Sequence, residues 1–296
     1  MDERFASANG IDLCYQTLGD PADEPLLLVM GLGAQMIAWP IELCEGLVDR
    51  GFHVIRYDNR DTGRSTWLDA TAGDFMAAFT AALAGEPLAA PYTLSDMAAD
   101  GMALLDHLGI PAAHVVGASM GGMIAQAMAI EHPHRLRSLT SIMSTTGDLD
   151  VGLPTPEALA VLTQPAPAGR EAAIEQGVAG SKVIASPDHF DEDLARRRST
   201  AAYDRGWHPA GTARHLLAIL ASGSRSEALA DLAVPTLVIH GDQDPLVTPS
   251  GGHRTAEVVP GAELLVLEGM GHDLPAAYLG PIIDAITAHA ARTASV

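Results

Sequence analysis

A serine hydroxyl is a weak nucleophile and needs a neighbouring base to take its proton. The pentad Gly117-Ala118-Ser119-Met120-Gly121 sets such a serine between the apolar run His114-Val115-Val116 and the helix-length segment Met120–His132. A turn straight from strand to helix lifts Ser119 clear of a sheet but crowds the backbone, and Gly117 and Gly121 relieve that crowding. A base and a carboxylate to orient it would complete the set. The apolar run Pro235-Thr236-Leu237-Val238-Ile239-His240 ends in an acidic turn, Gly241-Asp242-Gln243-Asp244-Pro245, and Glu263–Leu267 is followed by Glu268-Gly269-Met270-Gly271-His272. Both turns leave the ends of expected strands, so they open on the same sheet edge as Ser119. Of 12 histidines, only His272 follows the last strand in a glycine-flanked loop. His240 is expected to pack at a strand end, and His253 and His289 to lie on helix surfaces. Asp242 and Asp244 compete for the third role.

Other chemistries fail on spacing. Leu246 and Val247 stand where a calcium loop needs oxygen ligands, and two carboxylates on one turn cannot flank a glycosidic bond. There is no His-Glu-x-x-His and no Cys-x-x-Cys, so no metal is expected. Gly31-Leu32-Gly33 lacks the third glycine of a dinucleotide loop, so no organic cofactor is expected either. Those glycines have another use. A tetrahedral oxyanion needs two backbone N–H donors, and the candidates are Leu32, in the loop after Pro25–Met30, and Met120, at the positive start of a helix.

The elements that must hold these residues alternate. Ile11–Thr17, Pro25–Met30, His53–Tyr57, His114–Gly117, Leu136–Met143, Pro235–His240 and Glu263–Leu267 read as strands. Several are continuously apolar, as in a parallel sheet covered on both faces. Gln35–Arg50, Leu94–Leu108, Met120–His132, Ser250–Val258 and Tyr278–Ala291 read as crossover helices, which predicts a doubly wound α/β sheet. The alternation stops between Thr145 and Arg225. Helical patches at Glu171–Ile184, Asp191–Asp204 and Thr212–Ala221, punctuated by prolines, predict a helical cap. The expected organisation is a discontinuous core, 1–144 and 226–296, with a cap or lid at 145–225. A second, loop-like excursion, Ser65–Tyr92, is expected to line the same cleft.

Composition limits the partners. The 296 residues carry 37 acidic and 17 basic side chains, a net charge of −20, which repels phosphate backbones and anionic lipid. Neither nucleic acid nor membrane is an expected partner. An apolar fraction of 48% excludes disorder, and two cysteines, Cys14 and Cys44, cannot staple a chain of this length. No apolar run reaches membrane-spanning length and the N-terminus reads as no signal peptide, so the expectation is a soluble cytoplasmic protein. A homo-oligomer is left open.

Taken together, the motifs resemble the α/β-hydrolase superfamily over nearly the whole chain. Its nucleophile elbow corresponds to Ser119 and its histidine to His272; its acid loop corresponds to Gly241-Asp242-Gln243-Asp244, and that alignment makes Asp244 the acid. Where the family commonly has His-Gly-x, this chain has Met30 followed by Gly31 and Leu32. Where it commonly has Asp-x-Arg-Gly-x-Gly-x-Ser, this chain reads Asp58-Asn59-Arg60-Asp61-Thr62-Gly63-Arg64-Ser65, with Asp61 in place of the first glycine. Val-Met-Gly, Arg-Tyr-Asp-x-Arg-Asp-Thr-Gly-Arg-Ser and Gly-Met-Gly-His are similar to anthracycline methylesterases of the aclacinomycin methylesterase type.

The resemblance implies a Ser-His-Asp hydrolase cleaving a small-molecule carboxylic ester through an acyl-enzyme. The alternatives carried forward are a lactonase, a C–C bond hydrolase, a cofactor-free perhydrolase and, outside catalysis, a ligand-binding receptor on the same scaffold. Met76, Phe79, Tyr203 and Trp207 are the expected pocket residues, together with the apolar stretch Leu216–Leu220. An apolar pocket of this kind suits a bulky ester better than a phosphate or a charged sugar.

Overall fold

The computed structural model describes residues 2–293 apart from Ala72, Asp74 and Pro87, so the expected spans Ser65–Tyr92, 1–144 and 226–296 are described only in part. Among the described residues, eight strands form one sheet: β1 (Arg4–Ala8), β2 (Ile11–Leu18), β3 (Glu24–Val29), β4 (Phe52–Tyr57), β5 (Ala113–Ala118), β6 (Leu136–Ile142), β7 (Thr236–Gly241) and β8 (Glu263–Leu267). Their spatial order is β1-β2-β4-β3-β5-β6-β7-β8, antiparallel for the β1–β2 and β2–β4 pairs and parallel elsewhere. The expected doubly wound sheet is present. It has one strand more than expected, because β1, with the sequence Arg-Phe-Ala-Ser-Ala, buries only two alanines and so has almost no apolar alternation to read.

Side chains alternate across β3. Leu26 and Leu28 pack with Leu43 and Leu47 of α1 (Ile41–Val48) and with Ile282 and Ile286 of α11 (Ala276–Thr293). Leu27 and Val29 face Met97, Leu104 and Leu105 of α3 (Leu94–His107) and Ile124 and Met128 of α4 (Met120–Glu131). Both faces of the central strands are dry, which is why their sequences are continuously apolar. Helix α1 is shorter than the expected Gln35–Arg50, since Pro40 precedes its first residue and closes off the chain before it. His289 is a correction. It is 3% exposed and turned inward onto the Pro235 carbonyl, whereas His253 is on the surface as expected. Cys14 and Cys44 are free and buried.

The excursion after β4 contains a helix, α2 (Phe75–Leu83), where the sequence suggested a loop; its alanines suit helix as readily as coil. Between β6 and β7 the chain forms α5 (Pro156–Thr163), α6 (Arg170–Ile184), α7 (Glu192–Gly206) and α8 (Pro209–Ser222), followed by the single turn α9 (Ser226–Leu229); α10 (Ser250–Val258) follows β7. Helix α8 packs on α2 and α3. No helix among the described residues is long and apolar enough to cross a membrane.

Asp61 anchors this arrangement. Its φ is +62°, in the left-handed region where glycine is favoured. Both of its carboxylate oxygens meet the Arg214 guanidinium of α8, at 2.7 and 2.8 Å, while Tyr92 and the Leu68 N–H also donate to it. Burial alone would raise its pKa, but the hydrogen bonds from Arg214, Leu68 and Tyr92 outweigh that and hold it below the usual carboxylate range. An aspartate thus replaces a glycine because its side chain ties the inserted helices to the sheet.

Candidate active site

Parallel connections from β3 run to one side, to β4, and those from β5 to the other, to β6, so the loops after β3 and β5 diverge and leave a crevice at the carboxyl edge. Ser119 sits there, between β5 and α4, with φ +56° and ψ −123°. Such backbone strain persists only where the surroundings enforce it. The Ser119 N–H donates to the Ile142 carbonyl at 2.9 Å, and Ser144 Oγ donates to the Ser119 carbonyl at 2.8 Å. A Cβ on Gly117 would strike the Gly121 carbonyl, and one on Gly121 the Val29 carbonyl, so larger residues cannot make this turn.

The loop after β3 lies directly against the serine. A Cβ on Gly31 would stand 3.0 Å from the Ser119 Cβ and 3.5 Å from its Oγ. The Leu32 N–H has no hydrogen-bond partner among the described residues, and Met120 is the first residue of α4, where no earlier carbonyl serves its N–H. Both expected donors therefore lie at the same crevice as Ser119, and both residues line its cavity.

His272 and Asp244 come from the loops after β8 and β7. His272 Nδ1 lies 2.7 Å from Asp244 Oδ2. A carboxylate only accepts, so Nδ1 carries a proton, and in the neutral ring it is Nε2 that has the lone pair. Asp244 Oδ1 accepts from the Leu246 and Val247 N–H groups, each at 2.9 Å. Burial raises the Asp244 pKa, but the charge of His272 and hydrogen bonds from His240 and His272 overcome it and hold the carboxyl far below its usual range. Asp242 is exposed instead, and its Oδ1 accepts from the Gly269 N–H at 2.7 Å. Hydrogen bonding separates the two candidates: only Asp244 touches the histidine. Among the described residues, Ser119 Oγ makes no hydrogen bond to His272 Nε2; such contacts are commonly open before substrate binds.

A cavity of about 1160 Å³ opens beside Ser119. Its lining includes Leu32, Met123, Phe79, Leu216, Ile219 and Leu220, so the apolar stretch of α8 and one of the four expected pocket residues are in place. Three are not. Met76 points outward from α2 with Thr80 and Ala84, 53% exposed over a shallow surface depression, because Phe79 and Ala82 occupy the inward face. Tyr203 and Trp207, at the end of α7, stack on each other with ring centroids 5.1 Å apart, outside the cavity lining.

A family model described as the alpha/beta hydrolase fold matches residues 24–275. The chain belongs to the α/β-hydrolase fold family. Within it, this hydrolase is 34% identical to the rhodomycin D methylesterase DnrP of Streptomyces peucetius and 33% to DauP of Streptomyces sp. strain C5, each over 100% of both chains. Among solved structures, a meta-cleavage product hydrolase from Pseudomonas fluorescens IP01 superposes with a TM-score of 0.78 at 20% identity, over 98% of this chain and 97% of that one. At that identity the likeness concerns the fold alone.

The hydrolase also places a residue at the site that the sequence reading passed over. His215 of α8 is buried; the Gly33 N–H donates to its Nδ1 at 3.2 Å, and its Nε2 lies 2.8 Å from the Arg60 carbonyl. One partner only donates and the other only accepts, which admits a single neutral tautomer. Burial lowers its pKa to about 4, in keeping with that neutral form. A lone histidine inside a helix gives no sign that it will meet a glycine loop 182 residues away.

Proposed function

We propose that this hydrolase cleaves carboxylic esters, in particular methyl esters of bulky, mostly apolar acids, through a Ser119 acyl-enzyme. The observation that carries the reading is the 2.7 Å His272–Asp244 hydrogen bond on loops that open at the same sheet edge as the strained Ser119 turn. Full-length kinship with two methylesterases supports the choice of bond, and a cavity of about 1160 Å³ supports a large acid portion.

His272 Nε2 takes the Ser119 proton as Oγ attacks the ester carbonyl carbon. The carbonyl oxygen becomes an oxyanion held by the Leu32 and Met120 N–H groups; one such donor is worth about 3–4 kcal/mol. Collapse breaks the bond to the alkoxide, which leaves as alcohol with the proton from His272. Water then enters and gives a proton to the same nitrogen as its oxygen attacks the acyl carbon. Collapse breaks the bond to Ser119 Oγ, which takes that proton back from His272, and the free acid leaves. Asp244 keeps Nδ1 protonated throughout and steadies the imidazolium between steps. No cofactor or metal takes part in this sequence of steps.

In this reading residues 145–225 form a cap over a core of 1–144 and 226–296, and the enzyme diffuses freely in the cytoplasm with a small-molecule ester as its partner. The two buried, unpaired cysteines suit a reducing compartment.

The test is a hydrolysis screen over methyl esters, p-nitrophenyl acyl esters and lactones, with fluorophosphonate labelling and a Ser119→Ala control. Methyl esters with large apolar acid portions should turn over, and the label should appear only in the protein that keeps Ser119. Labelling that persists in the alanine variant would overturn the assignment of the nucleophile.

The cavity makes a separate prediction. Phe79→Ala and Leu216→Ala should lower kcat/KM for a bulky ester by about 10-fold or more, in line with the 1–3 kcal/mol that shape differences in an apolar pocket carry. They should leave p-nitrophenyl acetate nearly unaffected, and the same should hold for Met76→Ala with both substrates. Equal losses on both substrates, tracking melting temperature, would reduce these side chains to scaffold.

A further inference from the structure

His272 is held on its backbone side by the inserted helices as much as by the sheet. Its N–H donates to the Ile184 carbonyl, the last of α6, at 2.7 Å. That carbonyl is one of those a helix C-terminus leaves without a partner, and the His272 N–H supplies one. Two residues on, Ser186 is completely buried. Its Oγ accepts from the Gly271 N–H at 2.9 Å and donates to Asp273 Oδ1 at 2.5 Å, while its N–H donates to the same oxygen at 2.9 Å. The two backbones touch. A Cβ on Gly271 would come within 2.5 Å of the Ala185 carbonyl carbon and 2.6 Å of the Ser186 nitrogen. This close approach, and not only the turn itself, is what requires glycine just before the histidine. Residues 271, 272 and 273 are thus each fastened to 184–186.

We propose that Ser186 and Asp273 form a latch that positions His272, making the end of α6 a working part of the hydrolytic machinery and not only a cover for the substrate. The proposal rests on the Ser119–His272–Asp244 reading. A hydroxyl is required at 186 because one side chain must accept from Gly271 and donate to Asp273 together. Asp244 fixes the imidazole through Nδ1, but it cannot by itself set where the His272 backbone stands along the crevice. The latch does that, so any displacement of α6 carries His272 away from Ser119. Misplacement of a reacting group by about 1 Å can cost on the order of 100-fold in rate.

The experiment compares wild type with Ser186→Ala, Asp273→Ala and Asp273→Asn. The measurements are kcat and KM on p-nitrophenyl acetate and on a bulky methyl ester, the melting temperature, and the low-field proton resonance of the His272–Asp244 hydrogen bond. Ser186→Ala and Asp273→Ala should lower kcat by about 10- to 100-fold, by a similar factor on both substrates and with KM little changed. The low-field resonance should broaden or shift. Asp273→Asn keeps a carbonyl oxygen for Ser186 and should restore most of the rate. A lowered melting temperature with kcat and the resonance unchanged overturns the latch, and so does a loss confined to the bulky ester. Should Ser186→Ala fail to fold, the Asp273 pair, altered from the partly exposed side, reads the same contact. Should wild type hydrolyse no ester and take no fluorophosphonate at Ser119, the catalytic reading fails; the resonance still reports whether the latch holds His272.

Discussion

Asp244→Asn is expected to lower kcat by about 10³- to 10⁴-fold with little change in KM. An asparagine turned with its amide nitrogen toward His272 donates where the carboxylate accepts, so Nδ1 loses its proton and Nε2, the nitrogen that must receive the serine proton, gains one. The Leu246 and Val247 N–H groups that now donate to Oδ1 favour that orientation, since they need an oxygen opposite them. The neighbouring substitution Asp242→Asn should cost less than about 10-fold, because Asp242 is exposed and its contact is the Gly269 N–H, for which an amide oxygen serves. Steady-state rates on one ester, with folding checked by circular dichroism, decide the matter. The reverse ranking of the two variants would exclude Asp244 as the partner of the base.

Asp61→Gly is expected to destabilise the fold by about 3–5 kcal/mol, although it restores the residue that the related turns commonly carry. Glycine relieves the left-handed backbone at φ +62°, a gain of about 1 kcal/mol. The larger effect is opposite in sign. Arg214, 2% exposed in its side chain and bonded to both Asp61 oxygens, would be left charged and without its carboxylate, and Tyr92 and the Leu68 N–H would lose the same acceptor. Combining Asp61→Gly with Arg214→Leu should recover most of the loss, since replacing both members of a buried ion pair by apolar groups is often nearly neutral. Urea denaturation of the two single variants and the double variant measures the coupling. Additive losses would mean that Asp61 and Arg214 stabilise the protein independently.

The elements were legible to different depths. Central strands announced themselves because both of their faces are buried, and β1 did not because it buries only alanines. Ser119 could be read because the strained turn is local: the two glycines that permit it lie within two residues of it. His272 was legible from its place after the last strand, and Leu32 and Met120 from the elements they follow or begin. The pocket was not. On α2 and α7 the apolar and aromatic residues could have faced either way. Packing of α2 on α8 turned Phe79 inward and left Met76 in solvent, while α7 packs on α6 with Tyr203 stacked on Trp207.

By itself the sequence determined the strand–helix alternation, the strained turn that raises Ser119, and the sheet edge on which His272 and the two aspartates must open. These depend on backbone sterics and on burial periodicity, which act over a few residues. Between the two aspartates the family resemblance already named Asp244, and tertiary structure supplied its hydrogen bond to the imidazole. Tertiary structure alone decided that Asp61 stands in a glycine position to hold Arg214, and that His215 of α8 and Ser186 just after α6 fasten the Gly33 and His272 loops. Each of those outcomes is a hydrogen bond between groups 28 to 182 residues apart. Such a bond forms only where the folded chain brings one donor within reach of one acceptor and seals both from water, and no local pattern encodes that meeting.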